Sequence, residues 1–105
     1  MPAARPGEVW RIDLGMVAKV RPCLILTRPP KRDELDVLTV VAHTTSRRGN
    51  RWEVQIEKSF LDEEGAFDVQ RVATVASVQL ERKLGELAPA ELDSVLDRLA
   101  ERLGI

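Results

Sequence analysis

The run Pro22-Cys-Leu-Ile-Leu-Thr27 is almost entirely apolar, and it sets the fold class expected for the whole chain. An apolar run this short predicts a strand that is buried on both faces. Pro22 suits the first residue of such a strand, where the ladder needs no N–H donor. We therefore expect this strand to lie in the centre of a sheet.

Other short runs with β-branched residues surround it along the chain. The further strands expected from them are Glu8–Leu14, Val37–Ala42, Trp52–Ile56 and Phe67–Ala76. A shorter helical turn is expected over Val78–Lys83. Each strand is bounded by polar or glycine- and proline-containing segments, as turns require.

The end of the chain predicts a helix. Its apolar residues recur at helical spacing and form one stripe: Leu92, Val95, Leu96, Leu99 and Leu103. Pro89 suits the first helical turn, and Gly104 suits the residue after the helix. Five or six short strands followed by a helix predict a mainly β fold, a small barrel or strongly curled sheet with the helix packed on it.

Composition narrows the possible functions. The chain has 105 residues, 44% of them hydrophobic and 31% charged, which predicts one soluble domain over residues 1–105. No apolar run approaches the ~20 residues of a membrane span. Met1–Gly7 contains no apolar signal region, so we expect a cytoplasmic protein without membrane contact.

Single copies of two reactive residue types exclude several chemistries. Cys23 is the only cysteine and His43 the only histidine, which excludes an internal disulfide, a CxxC zinc site and a paired-histidine metal site. No phosphate-binding glycine loop is present either. We therefore expect no metal and no cofactor, and any catalysis must use Arg, Lys, Thr, Ser, Asp, Glu or the one His.

Charge is distributed unevenly along the chain. Residues 1–56 carry 10 Lys and Arg against 6 Asp and Glu, a net +4, whereas residues 57–105 carry 6 against 11, a net −5. A basic half of this kind is consistent with a polyanion contact on one face. An exposed acidic helix would skew the count equally well, so both interpretations stay open.

Three clusters carry the candidate site residues. Lys19-Val-Arg21-Pro22 places an arginine against a stiff proline and a buried strand, where its guanidinium could hold a phosphate. The alternative is a surface arginine at a turn.

The second cluster is His43-Thr-Thr-Ser-Arg-Arg48, at the end of the third expected strand. Hydroxyls and cations at a strand end can contact a sugar-phosphate backbone. His43 and Thr44 should face opposite sides of a regular strand. The alternative is ordinary turn chemistry, with a structural histidine and two solvated arginines.

The third cluster is Phe67-Asp-Val-Gln-Arg71, in which Asp68 and Gln70 should share one face of a strand. A carboxylate and an amide there could contact base edges or brace an arginine. The alternative is the polar outer face of an edge strand.

Taken together, these segments resemble the MazF/PemK family of toxin endoribonucleases. The resemblance is carried by Gly7-Glu-Val-Trp-Arg-Ile-Asp-Leu14, Arg21-Pro-Cys-Leu-Ile-Leu26, Leu38-Thr-Val-Val-Ala-His-Thr-Thr45 and Gln79-Leu-Glu-Arg-Lys-Leu84. It implies an SH3-like barrel with a C-terminal helix that forms a homodimer. It also implies a metal-independent enzyme that cuts single-stranded RNA, neutralised by a cognate antitoxin whose extended segment lies across the dimer.

The resemblance assigns roles to individual residues. Arg21 and Thr44 match the two catalytic positions: the arginine would stabilise charge on the phosphate, and the threonine would orient a phosphate oxygen or the 2′-hydroxyl. The RNA 2′-hydroxyl would attack the adjacent phosphate, leaving a 2′,3′-cyclic phosphate and a 5′-hydroxyl. The RNA contacts expected beside them are Lys19, His43, Thr45, Arg47, Arg48, Asp68 and Gln70. The general base is left open, with His43 as one candidate.

The sequence departs from the family pattern at two places. The loop from Gly15 to Arg21 is short and lacks a Gly- and Gln-rich stretch, and the family's adjacent Asp-Gln pair is here Asp68-Val-Gln70.

Two other functions therefore stay open. One is a non-catalytic gyrase inhibitor resembling CcdB, whose tail the ending Leu103-Gly-Ile105 partly matches, although the preceding Trp is missing. The other is an inactive barrel that binds RNA or peptides without cutting.

Overall fold

The computed structural model describes residues 3–15 and 19–105. The strands of this part form one antiparallel sheet of six strands in the order β4-β5-β3-β2-β1-β6. The elements, in chain order, are β1 (Glu8–Asp13), β2 (Val20–Ile25), β3 (Val37–Thr44), β4 (Glu53–Val54), β5 (Ala66–Ala76), a 3₁₀ turn (Ser77–Gln79), β6 (Leu80–Glu86) and α1 (Pro89–Leu103). The predicted mainly β fold with a C-terminal helix is confirmed.

Strand β2 lies inside the sheet, between β1 and β3, as its apolar run predicts. Cys23 and Ile25 pack into one core cluster, and Leu24 between them packs into another. All three side chains are fully buried. Because alternate residues of a strand point to opposite faces, a strand with core on both sides must be apolar at every position.

Helix α1 covers one of these two faces. Val95 is fully buried, and Leu92 and Leu99 pack beside it in the cluster that contains Leu24. The helix begins at Pro89, and Gly104 ends it in the left-handed conformation (φ 76°), where glycine meets no Cβ penalty. The predicted bounds of the helix are therefore confirmed.

The helical turn expected over Val78–Lys83 is wrong beyond its first residues. Only Ser77–Gln79 form a 3₁₀ turn, and the chain then continues as β6, which pairs with β1. The Gln79 side chain closes this turn, since its Oε1 accepts a bond from the Ala76 amide at 2.7 Å and its Nε2 donates to the Asp13 carbonyl at 2.8 Å. The unpaired edge of β1 provides the hydrogen-bond partners that make the following residues a strand.

The bounds of all five predicted strands also differ from expectation. β2 runs from Val20 to Ile25 and not over 22–27, so Pro22 is its third residue, opposite Arg11, and not its first. β5 begins one residue earlier than predicted, at Ala66. β1 ends at Asp13, one residue before the predicted Leu14, and β3 continues to Thr44, two residues past Ala42. β4 is two residues long, because its ladder with β5 pairs only Glu53 with Asp68 and Val54 with Phe67.

A large bulge interrupts the ladder between β3 and β5. Val41 pairs with Val72 and His43 pairs with Phe67, so residues 68–71 of β5 lie opposite Ala42 alone. Bulges change the direction of side chains that would alternate between the two faces in a regular strand.

In the part of the chain that is described, no helix is long and apolar enough to span a membrane.

Candidate active site

The two residues singled out as catalytic lie at the same end of neighbouring strands. Arg21 is the second residue of β2 and Thr44 is the last residue of β3, and the two strands are antiparallel. The final recorded pair of their ladder joins Cys23 to Ala42. The same register, continued by two residues, brings Arg21 opposite Thr44.

The Thr44 side chain is buried, with 1% of the residue exposed. Its Oγ1 accepts a hydrogen bond from the Ser46 amide at 3.0 Å, the bond by which threonine commonly turns a chain after a strand. A hydroxyl that accepts one bond can still donate its proton. Thr44 therefore fixes the direction in which the following loop leaves the sheet.

That loop, residues 45–50, is called the basic loop below, and it is folded around one buried carboxylate. Glu53, whose side chain is 1% exposed, accepts bonds from the Arg48 amide at 2.8 Å and the Gly49 amide at 3.0 Å. Its Oε1 also pairs with Arg47 Nε at 3.2 Å. The Arg48 amide, followed by the Arg47 side chain and the Gly49 amide, holds the pKa of Glu53 below its usual value against the opposing effect of desolvation.

Sequence reasoning missed Glu53. It precedes Val54 in a short alternating strand, where it reads as a solvent-facing residue. The available signal was its place three residues after the basic loop, which contains two arginines and a glycine, because a nearby carboxylate can accept bonds from their side chains and amides. With Glu53 in place, Thr45, Arg47 and Arg48 lie on an exposed but anchored segment.

His43 lies in the core, where 3% of the residue is exposed. Its ring meets Phe67 edge-on with centroids 5.0 Å apart, and within the described residues its Nε2 has no hydrogen-bond partner. Desolvation lowers the pKa of His43 below its ordinary value, although the carboxylate of Asp62 opposes this. The position of His43 supports the structural interpretation rather than contact with RNA. Successive residues of β3 are buried because the strand has core on both faces, with Val40 in one cluster and Val41 in the other.

The bulge also separates Asp68 from Gln70, which a regular strand would place on one face. Asp68 is 6% exposed and Gln70 is exposed. Asp68 Oδ1 accepts a bond from the Gln70 amide at 2.9 Å, and its Oδ2 pairs with Arg71 Nε at 3.4 Å. Gln70 Oε1 accepts a bond from Asn50 Nδ2 at 3.0 Å, which ties the bulge to the basic loop. Of the alternatives left open for Asp68, the structure shows the contact with an arginine, which is Arg71.

Arg71 and Arg21 line one depression of about 190 Å³. Arg21 is half-buried, and 41% of the Arg71 side chain is exposed. Sequence reasoning did not select Arg71, because its approach to Arg21 depends on the strand order β5-β3-β2, which the sequence does not reveal.

Lys19 closes the turn between β1 and β2. Its amide donates to the Gly15 carbonyl at 2.7 Å, and its carbonyl accepts a bond from the Leu14 amide at 2.9 Å. Lys19 is exposed and has a positive φ of 60°. Residues 16–18 of this short loop lie outside the described residues.

Among residues 3–15 and 19–105, no three His, Cys, Asp or Glu side chains are grouped so that they could hold a metal ion. Arg21 is half-buried and lines the depression, whereas Thr44 is almost fully buried and is not among the residues that line it. A guanidinium in such a place can bind a phosphate.

Comparisons with known proteins give a consistent result. The family described as PemK-like, MazF-like toxin of type II toxin–antitoxin systems matches residues 5–103. The endoribonuclease MazF1 of Mycobacterium bovis is 32% identical, with 100% of this chain and 97% of the relative covered. A probable endoribonuclease MazF2 of Mycobacterium tuberculosis is 28% identical, with 95% and 98% covered.

A solved structure agrees with these relatives. An endoribonuclease from a mycobacterial species, in complex with its cognate antitoxin, superposes with a TM-score of 0.81 at 29% identity. The superposition covers 98% of this chain and 97% of that one. The similarity therefore extends over the whole described fold, including the ends of β2 and β3.

Proposed function

This chain belongs to the PemK-like, MazF-like toxins of type II toxin–antitoxin systems, and we propose that it cleaves single-stranded RNA at the end of the sheet that holds Arg21 and Thr44. It is an endoribonuclease of that family. The observation that carries the proposal is the placement of a half-buried guanidinium and a threonine hydroxyl at the same end of adjacent strands.

The proposed reaction uses the RNA as its own nucleophile. The 2′-oxygen attacks the adjacent phosphorus, the bond from phosphorus to the 5′-oxygen breaks, and the products carry a 2′,3′-cyclic phosphate and a 5′-hydroxyl. The 2′-hydroxyl loses its proton and the leaving 5′-oxygen gains one. No metal-bound water is required, because the attacking oxygen belongs to the substrate.

Arg21 stabilises the charge that builds on the phosphate as the fifth oxygen approaches. Pro22 and the buried strand hold its backbone before substrate binds, and a donor held in this way contributes about 3–4 kcal/mol to the transition state. Thr44 donates its hydroxyl proton to a phosphate oxygen or to the 2′-oxygen. Its bond from the Ser46 amide keeps the hydroxyl at one place.

The basic loop and Lys19 guide the flanking strand of RNA. Thr45, Arg47 and Arg48 contact sugar and phosphate, while the carboxylate of Glu53 keeps the loop in one conformation. These contacts position the RNA without selecting its bases.

The partners we propose are single-stranded mRNA, a second copy of this chain in a homodimer and a cognate antitoxin. The relative of known structure was solved with its antitoxin bound, which supports an equivalent complex here. The cytoplasm, where mRNA is translated, is the proposed location.

Cleavage of a single-stranded RNA in the presence of a chelator tests this proposal. We expect cyclic-phosphate products by mass spectrometry, and a rate that falls about 10²–10³-fold in Arg21→Ala. Arg28→Ala is the matched control, because Arg28 is exposed and follows the other end of β2. Thr44→Ser should retain much more activity than Thr44→Val.

Two results would contradict the proposal. One is RNA binding without any product, which would indicate the inactive RNA-binding barrel. The other is an equal rate for Arg21→Ala and Arg28→Ala, which would remove Arg21 from the reaction.

A further inference from the structure

Arg71 carries an inference beyond the residues assigned so far. It lines the depression of about 190 Å³ beside Arg21, together with the apolar side chains of Leu14 and Val72 and the hydroxyl of Thr74. Two guanidinium groups on one small concave surface attract anions. The depression therefore favours a ligand that carries negative charge and an apolar surface.

The orientation of Arg71 is built into the fold. Residues 68–71 bulge out of the ladder opposite Ala42, and Arg71 is the last residue of that bulge. Asp68 Oδ2 holds its Nε at 3.4 Å, and Asp68 is itself fixed by the bond it accepts from the Gln70 amide. A guanidinium that is bound through Nε still has its two terminal nitrogens to offer to a ligand. With 41% of its side chain exposed, Arg71 can present them to solvent.

We infer that Arg71 binds an RNA phosphate, and that the depression holds the nucleotide next to the cleaved bond. This inference rests on the proposed function, in which Arg21 binds the phosphate that is attacked. The next phosphate along a single strand lies within reach of the second guanidinium, while the sugar and base between them pack on Leu14 and Val72. Arg71 then acts in binding and orientation, and Arg21 acts on the reacting phosphate.

Binding of an uncleavable RNA tests Arg71 separately from catalysis. The probe is a short, fluorescently labelled single-stranded oligoribonucleotide with 2′-O-methyl groups, followed by anisotropy across a range of salt concentrations. In Arg71→Ala we expect an affinity about 5–20-fold lower at low salt, and a dependence of log K on log salt that is shallower by about 0.7, the value for one phosphate contact on a single strand. Arg71→Lys should recover part of the affinity and part of the salt dependence.

Arg82→Ala is the matched control. Arg82 is an exposed arginine on β6, opposite Arg11, and it does not line the depression. Arg82→Ala changes the net charge by the same amount as Arg71→Ala, so a loss of RNA affinity seen in Arg71→Ala alone cannot come from net charge. In cleavage assays Arg71→Ala should raise KM by the same factor as the loss of affinity, with kcat changed less than twofold.

The outcomes separate this inference from the proposed function. Equal affinity and salt dependence in Arg71→Ala and Arg82→Ala would overturn the inference, even if the wild-type protein cleaves RNA. A specific loss in Arg71→Ala would support it, even if the wild-type protein cleaves nothing. Circular dichroism of both variants shows whether they are folded, and Arg71→Lys supplies the comparison if Arg71→Ala is not.

Discussion

A single methyl group added at Gly65 should destabilise the fold through His43. A Cβ at this position would lie 2.3 Å from His43 Cε1, 2.9 Å from its Nδ1 and 3.0 Å from the carbonyl oxygen of Thr44. Gly65 is not among the glycines with positive φ, so the cost of Gly65→Ala is steric and not conformational. The ring cannot move away easily, because it is buried and Phe67 flanks it.

The magnitude follows from the usual cost of overpacking. Forcing a methyl group into a filled core costs about 1–3 kcal/mol. For a chain of 105 residues, the entropy of unfolding converts this cost into a melting temperature lower by about 5–14 °C. Thermal or urea unfolding followed by circular dichroism at pH 7.5, where His43 is neutral, measures it.

A double-mutant cycle with His43→Ala identifies the cause. If the imidazole opposes the new methyl group, Gly65→Ala should cost at least 1 kcal/mol less in the His43→Ala background than in the wild type. The contact with the Thr44 carbonyl remains, so the cost should not vanish. Gly104→Ala serves as the control, because Gly104 has a φ of 76° and open space around its Cβ position. Its cost of about 1 kcal/mol should add to that of His43→Ala.

Additivity of Gly65→Ala and His43→Ala within about 0.5 kcal/mol would refute this reasoning. The imidazole would then not be the group that the methyl displaces. The packing of His43 against Gly65, and with it the argument that His43 is structural, would have to be abandoned.

Three further predictions concern other parts of the molecule. Because the pKa of His43 is lowered in the fold, the unfolded chain gains its proton at a higher pH than the folded chain, so the free energy of unfolding should fall as the pH drops below about 6.5; this contribution should be absent in His43→Leu, as urea titrations at each pH would show. Glu53→Ala should raise the KM for RNA more than Glu53→Gln, because the amide still accepts bonds from the Arg48 and Gly49 amides; equal KM values in steady-state cleavage would contradict this. The ring of Trp52 lies 5.4 Å from the guanidinium of Arg102 on α1, so Trp52→Leu should loosen the end of α1 by about 1 kcal/mol, visible as faster hydrogen exchange over residues 98–103; exchange at the wild-type rate would contradict it.

The elements that could be predicted from the sequence are those with a local or periodic signal. The apolar run of β2 needs no partner to be recognised, and the stripe of α1 has its own start and stop residues. Strand β6 could not be predicted, because what makes Leu80–Glu86 a strand is the unpaired edge of β1, almost seventy residues earlier in the chain. The local sequence there fits a helical turn equally well.

Only those residues of the candidate site that have a local signal in the sequence could be predicted. Arg21 and Thr44 stand at strand ends that the sequence marks with Pro22 and a polar loop. Glu53 and Arg71 were missed, because their roles depend on the folded loop and on the bulge. By sequence alone, the segment that contains Asp68 and Gln70 fits a regular strand. The bulge becomes visible only in the ladder between β5 and β3.

Ion pairs between the two halves of the chain offset a small part of the difference in charge between them. Several ion pairs join a residue of the first half to one of the second: Arg11–Glu81, Arg51–Glu101 and Glu8–Lys83. Within the first half, Arg47 pairs with Glu53. Two of the pairs between the halves neutralise a cation of the first half and the third neutralises an anion of it, so together they offset a net of one positive charge out of four.

Attraction for RNA cannot come from net charge, which is −1. In the proposed complex it would come from a few cations on anchored backbone: Arg21 beside Pro22 on β2, Arg48 in the loop around Glu53, and Arg71 beside Asp68 in its bulge. Fixed cations cost less conformational entropy on binding than mobile surface chains. They also place positive charge where negative charge builds on the phosphate in the transition state. Stabilising the transition state more than the bound RNA is what speeds the reaction.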